Sequence, residues 1–306
     1  LVIEARGLTR TFGDLVAVED LSLDVERGEL FALLGPNGAG KTTTVRMLAA
    51  LIGPTRGEAR VLGYDVAAQA HEVRRRVGLL TGAPGLYDRL SAWENLMIFA
   101  QLYGVESPEA QVERYLRMLG IWDRRAEATG GFSKGMRQKV AIARALLHEP
   151  DVVFLDEPTS GLDPASAKTV RDFLGELKSV GRTVFLTTHN LAEAERLADR
   201  IAVLDRVLVA VDSPARLQSS LFGRRTCVRF AKAEAHLADV AAGVPGVTEA
   251  SWHDDELQVL LDDPEERNPA LVDALVRAGG RIVAVTEVRA SLEDVYLTLV
   301  RDESPA

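Results

Sequence analysis

Cysteine is almost missing from this sequence: Cys227 is the only one among 306 residues. No disulfide can close within the chain, which points to a reducing compartment and to a core as the source of stability. Long apolar runs are also missing. The longest stretches are broken by Arg, Asp or Glu, so none reaches the roughly 18 successive apolar residues of a membrane helix. Leu1-Val2-Ile3-Glu4-Ala5-Arg6 lacks the basic start, apolar middle and small-residue site of a signal peptide. Positive charge is outnumbered, with 36 Lys and Arg against 45 Asp and Glu, a net charge of −9. That balance argues against a broad cationic face, so no nucleic-acid partner is expected. Internal repeats, low-complexity tracts and heptads are absent as well.

What is present reads as an ordinary globular chain, 47% hydrophobic and 26% charged, with length for about two domains. The charge is unevenly spread. Residues 1–216 carry 27 basic and 29 acidic residues, while 217–306 carry 9 and 16. A boundary is expected near 217, just after the breaker Ser213-Pro214. Before it, strands and helices alternate. Leu30–Leu34 and Val152–Leu155 are short continuous apolar runs, as in strands buried on both faces, and Thr183–Leu186 is read as another strand. Helices are predicted from Thr42 to Leu51, from the Ser91/Glu94 capping box to about Tyr103, and over Glu109–Leu119. Further helices are expected after Ser133, after Asp163-Pro164, and over Leu191–Ala198, with a hairpin at Ile201–Val211. The pattern implies an α/β domain with a largely parallel sheet. Beyond 217 the predicted order is strand 226–231, helix 234–243, strands 247–252 and 256–261, helix 267–278, strand 281–286 and helix 291–301. That is βαββαβ plus a terminal helix, a small α+β, ferredoxin-like domain.

Gly35-Pro36-Asn37-Gly38-Ala39-Gly40-Lys41-Thr42 fits the phosphate-loop pattern and stands between a predicted strand and helix. Phosphate oxygens need several N–H donors converging on one point. Glycines let the backbone curl so that its N–H groups face inward, and the helix that follows adds free N–H groups and a positive dipole end. Lys41 is placed to reach the β- and γ-phosphates, and the Thr42 hydroxyl is a hard oxygen ligand for Mg²⁺. Asp156 and Glu157 follow the buried run 152–155, 115 residues after Lys41. The first can hold Mg²⁺ and the second can act as general base toward water. His189 follows the strand at 183–186, where a γ-phosphate ligand would sit.

These motifs, in this order, resemble the nucleotide-binding subunit of an ABC transporter over residues 1 to about 216. The resemblance implies a P-loop NTPase domain with a helical subdomain at about 83–150, which docks a membrane permease carried on a separate chain. It implies ATP and Mg²⁺ as cofactors and a cytoplasmic membrane-face location through the permease. Phe12 takes the place of a ring that stacks on adenine; the alternative is a core phenylalanine. Gly35–Thr43, including Thr43, is the phosphate loop. Phe132-Ser133-Lys134-Gly135-Met136 is similar to the family signature Leu-Ser-Gly-Gly-Gln, with Lys134 and Met136 as departures. Ser133, the Gly135 backbone and the helix start would face the γ-phosphate held by the other copy, so two chains close head to tail as a homodimer or paralogue dimer. Asp163 lies in the loop that contacts that copy, and His189 takes the switch-histidine position. A glutamine is expected after Val77-Gly78-Leu79-Leu80-Thr81, but Gly82 stands there, followed by Ala83-Pro84. Mg²⁺ would then keep one more water.

The string Ala290-Ser291-Leu292-Glu293-Asp294-Val295-Tyr296-Leu297 is similar to the tail of ATPase subunits from bacterial drug, lipid or ion exporters. It suggests export, with regulation, dimer stabilisation and permease contact all open as roles for the C-terminal domain. Two other readings stand beside this one. A soluble ABC-type ATPase would need heptad arms or a second ATPase half. A low-turnover regulatory module fits the Gly82 departure but not the intact Glu157 and His189.

Overall fold

The chain opens with an antiparallel pair, β1 (Ile3–Phe12) and β2 (Leu15–Val25). The computed structural model describes residues 1–82, 84–222, 224–253, 255–288 and 291–301. Their contacts divide into two units, Leu1–Ser213 and Pro214–Ala306.

In the first unit, β3 (Leu30–Leu34) leads through the glycine loop into α1 (Lys41–Leu48). Strand β4 (Arg56–Val61), the short β5 (Tyr64–Asp65), helix α2 (Ala70–Arg76) and β6 (Val77–Leu80) follow. A helical stretch holds α3 (Ala92–Leu102), α4 (Pro108–Met118) and α5 (Lys134–Leu146). Then come β7 (Val152–Asp156), α6 (Pro164–Ser179), β8 (Thr183–Thr188), α7 (Leu191–Leu197), β9 (Arg200–Asp205) and β10 (Val207–Asp212).

One sheet runs β10-β9-β3-β8-β7-β6, parallel except for the β9–β10 hairpin. A second, antiparallel sheet runs β2-β1-β4-β5. Alternation along the central strands explains their unbroken apolar runs. Phe31, Phe154 and Phe185 point into the core shared with the antiparallel sheet and α1. Leu30, Val153, Leu155, Val184 and Leu186 point into the core shared with α3, α4, α5 and α6. Each such side chain removed from water contributes about 1.5–3 kcal/mol.

Start signals act as their chemistry predicts. Ser91 accepts from Glu94 N at 3.1 Å and Glu94 accepts from Ser91 N at 2.8 Å, closing the capping box of α3. The Asp163 carboxylate accepts from Ala165 N and Ser166 N at the head of α6, with Pro164 in the first helical position. The strands of the antiparallel sheet escaped the pattern reading. β1 slips register at three points along its pairing with β2, which breaks the alternation that would mark it.

The second unit begins with a helix that the sequence pattern did not show, α8 (Pro214–Phe222). Ser213-Pro214 reads as a breaker, but this proline occupies the first helical position, where its missing N–H costs nothing. A division near 217 would fall inside this helix. The order continues with β11 (Arg224–Phe230), α9 (His236–Ala242), β12 (Val247–His253), β13 (Glu256–Leu261), α10 (Pro264–Arg277), β14 (Ile282–Val288) and α11 (Leu292–Arg301). Helix α10 starts at 264, ahead of the expected 267, because Asp263 caps it through Glu265 N and Glu266 N. The sheet order β12-β13-β11-β14, with every pair antiparallel, is the ferredoxin-like arrangement. Val228, Leu257, Val259, Leu271 and Leu275 form its core. Of the string 290–297, Ala290 lies outside the described residues. Ser291 and Asp294 cap each other's backbone N–H at the start of α11.

Candidate active site

The loop between β3 and α1 is shaped by contacts that only glycine permits. A Cβ at Gly35 would overlap the Leu204 carbonyl oxygen, and one at Gly40 the Ala17 carbonyl oxygen. Gly40 also adopts a left-handed φ of 97°, and as the N-cap it makes no side-chain cap to α1. The first N–H groups of that helix therefore have no intrahelical acceptor. From outside, Arg206 N donates to Ala39 O at 3.1 Å and Glu19 N donates to Arg206 O at 2.8 Å. Arg206 sits in the one-residue turn of the β9–β10 hairpin at φ 60°. It was not legible as a site residue, since its contacts to the loop span more than 160 positions.

Lys41 is 6% exposed, and its Nζ donates to Gly35 O at 2.7 Å and Pro36 O at 3.0 Å. It also stands 3.7 Å from Glu157 Oε1. The Thr42 hydroxyl donates to Asp156 Oδ2 at 2.8 Å. The Thr187 hydroxyl donates to the other oxygen, Oδ1, at 2.6 Å, which fixes the buried Asp156 carboxylate from both sides. Glu157 has φ 53°, a region costly for a side chain larger than glycine, and its N–H is pinned at 3.1 Å to both the carbonyl and the hydroxyl of Thr187. His189 Nδ1 lies 2.7 Å from Glu157 Oε2. The end of β7, the end of β8 and the start of α1 thus bring Lys41, Thr42, Asp156, Glu157 and His189 together, although they are spread over 149 positions of the chain.

Lys41, Thr42, Glu157 and His189 border a cavity of about 540 Å³ whose wall also includes Ala17, Pro36, Asn37, Gly38, Gly40 and Thr43, and Asp156 is joined to it through the Thr42 hydroxyl. Phe12 lines the cavity together with Leu15 and Val16; it is 46% exposed, so it is no core residue, and the Arg10 guanidinium lies 4.6 Å above its ring. Ser160, from the loop that runs on to Asp163, and Arg206 complete the wall, and of the two Arg206 carries no sequence signal. Gly35 and Ala39 take part through the loop's backbone.

The remaining candidates lie elsewhere. None of Ser133, Lys134, Gly135, Met136 and Asp163 lines the cavity. Ser133 caps α5 by accepting from Met136 N at 3.3 Å. Gly135 packs against α6, where a Cβ would stand 2.5 Å from the Ser166 hydroxyl. Hydrogen bonds from Ser166 hold the Asp163 carboxyl below the usual carboxylate range. Gly82 is exposed, with nothing within 4 Å of the Cβ position, and Ala83 beside it lies outside the described residues. In the helical stretch that the resemblance assigns to permease docking, Tyr87 is exposed, whereas Leu86, Trp93 and Phe99 pack on the core around α3 and α5.

The family model for ABC transporter matches residues 18–160, and that for the C-terminal domain of ATP-binding protein DrrA1-3-like matches 213–300. The chain is 37% identical over 284 residues to the fluoroquinolones export ATP-binding protein of Mycobacterium tuberculosis (strain CDC 1551 / Oshkosh), covering 92% of this chain and 94% of that one. It is also 37% identical over 304 residues to the daunorubicin/doxorubicin resistance ATP-binding protein DrrA of Streptomyces peucetius, covering 97% and 92%. A solved ATP-binding subunit of an ABC transporter superposes with a TM-score of 0.66 at 34% identity, over 73% of this chain and 94% of that one.

Proposed function

This chain belongs to the ABC transporter ATP-binding proteins, and from that premise we propose how its residues divide the work of an export motor. It binds ATP and hydrolyses it. The observation that carries the assignment of roles is the convergence of Lys41, Thr42, Glu157 and His189 on one cavity also lined by Phe12, with Asp156 hydrogen-bonded to Thr42.

In this reading the adenine stacks on Phe12, and the triphosphate lies along the loop from Gly35 to Thr43. Lys41 exchanges the Gly35 and Pro36 carbonyls for the β- and γ-phosphate oxygens. The uncapped start of α1 donates N–H groups to the same anion. Thr42 and Asp156 would hold Mg²⁺: a hydroxyl and a carboxylate 2.8 Å apart are the hard oxygen donors it prefers, with phosphates supplying others. Bound there, Mg²⁺ neutralises charge on the triphosphate. Glu157 accepts a proton from water as the water oxygen bonds to the γ-phosphorus and the bond to the bridging oxygen breaks, releasing ADP. His189 orients that carboxylate from Nδ1 and faces the γ-phosphate.

The Ser133–Met136 turn stands away from the cavity of its own chain, and this supports closure by a second copy. Ser133, the Gly135 backbone and the α5 start of one copy would cover the γ-phosphate of its partner, with Asp163 at the seam. No helix among the described residues is long and apolar enough to cross a membrane. Relatives named as ATP-binding proteins for export and resistance support a permease on a separate polypeptide that brings this subunit to the membrane face. Relatives named for fluoroquinolone export and for daunorubicin/doxorubicin resistance support export as the direction, with the permease selecting the cargo.

Replacement of Glu157 by Gln tests the reading. Turnover falls by about 10²–10⁴-fold while ATP still binds, and light scattering shows an ATP-dependent dimer. A loss below about tenfold removes Glu157 as the base. Nucleotide held by one copy alone under these conditions removes the two-chain site.

A further inference from the structure

Glu193 stands in the first turn of α7 and is 3% exposed. Its two oxygens are treated differently. Oε2 accepts from the Thr159 hydroxyl at 2.8 Å and from the Thr188 hydroxyl at 3.1 Å. Oε1 is buried without a hydrogen-bond partner. A buried acceptor left alone costs folding free energy, and so does the burial of a carboxylate, so this position is a poor choice for stability. Burial accordingly pushes the Glu193 carboxyl up, against the two hydroxyls that pull it down.

The partners show what is gained. Thr159 follows Glu157 by two residues, in the loop that runs on to Asp163, and Thr188 directly precedes His189. Backbone pairing already fixes Glu157 N to Thr187 O. It does not reach Thr159, nor the outward turn of the chain at His189. On the other side, Asn190 N donates to Thr188 Oγ1 at 3.0 Å and Asn190 Oδ1 accepts from Glu193 N at 3.1 Å. Helix α7 is thus fastened to the end of β8, and Glu193 Oε2 extends that fastening to the loop beyond Glu157.

We propose, resting on the assignment of Glu157 as the base, that Glu193 is a positioning residue for hydrolysis. It joins the loop at 157–163 to the strand end at 188–189 so that the Glu157 carboxylate and His189 stay in register. It touches neither nucleotide nor water. Its effect falls on kcat and leaves nucleotide binding alone.

Steady-state ATPase assays of Glu193→Ala and Glu193→Gln, with ATP affinity measured separately, test this. The glutamine carbonyl can accept both hydroxyls, so Glu193→Gln keeps kcat within about threefold, whereas Glu193→Ala loses about tenfold or more with KM and Kd for ATP unchanged. The pair Thr159→Val with Thr188→Val loses as much as Glu193→Ala, and adding Glu193→Ala to it costs nothing further. The pair also decides the matter if Glu193→Ala does not fold. The proposal is overturned if Glu193→Ala, or the threonine pair, keeps kcat near the parent value. It is equally overturned if Glu193→Gln falls as far as Glu193→Ala, or if affinity is lost in step with kcat. Failure of the Glu157 assignment reads differently, because Glu157→Gln would then turn over normally.

Discussion

Helices α1 and α5 of the first unit both start from glycine-containing turns, yet their N-termini are finished in opposite ways. At α1 the cap is Gly40, in a left-handed conformation and with no side-chain acceptor, so the first N–H groups stay available. At α5 the cap is Ser133, whose hydroxyl already accepts from Met136 N. The glycines differ as well. Gly40 is walled in by the Ala17 backbone, whereas the neighbour of Gly135 is the Ser166 side chain, which can move. One turn presents free N–H groups at the wall of its own chain's cavity. The other is a finished helix start that lies away from that cavity.

The strongest test of that contrast is Gly40→Ala. The methyl group meets a carbonyl that cannot yield, and the left-handed backbone adds about 1–2 kcal/mol of strain. ATP affinity, read by fluorescence titration, falls by about a hundredfold or more. Normal binding would erase the distinction between the two turns. Next in size, Ser133→Ala lowers turnover about tenfold at saturating ATP while ATP affinity of the unassociated copy stays unchanged. The lost cap lowers stability by about 1 kcal/mol in either case, so a fall in Tm without a fall in turnover would reduce Ser133 to a cap alone. Gly135→Ala has a smaller effect on turnover, and Ser166→Gly in the same chain restores it; failure of that rescue would locate the fault in the backbone of α5. At Gly82→Gln the added Cβ meets no atom of the described residues within 4 Å. The substitution shifts the Mg²⁺ concentration for half-maximal turnover and spares the fold; no shift would detach this position from the site.

The smallest effect is one of pH, and it separates stability from both helix starts. The His148 ring stacks 4.0 Å from Tyr103, with Nε2 3.1 Å from Val77 O, and burial pushes its pKa below the ordinary histidine value. The unfolded chain therefore takes up this proton first as pH falls. The contribution of neutral His148 is complete above the unfolded pKa and is lost as pH drops from there through the folded one. Thermal melts between pH 7 and 5 show a steeper decline in the parent than in His148→Phe.

Much of the first unit was legible because its determinants are contiguous. Residues 30–34, 152–155 and 184–186 are apolar on both faces, and Gly35–Thr42 carries its chemistry in eight successive positions. What escaped depends on contacts between distant segments. Arg206 braces Ala39, Thr187 holds Asp156 and Glu193 joins two loops, each through side chains or carbonyls that no local pattern marks. Strand β1 was missed for a related reason, its register slips having blurred the alternation. In the second unit the strand and helix order was readable from period and turns, while α8 was hidden behind a proline that starts a helix as readily as it ends one.

Lys41 rests its ammonium on two carbonyl oxygens of its own loop. Most of the water that a free lysine carries has thus been shed during folding, before any nucleotide arrives. Binding is then a swap of oxygen neighbours: an uncharged guest gains little over a carbonyl, whereas a multiply charged phosphate gains the full attraction of opposite charges at short range. Discrimination against neutral visitors is in this sense written into the chain at the moment it folds.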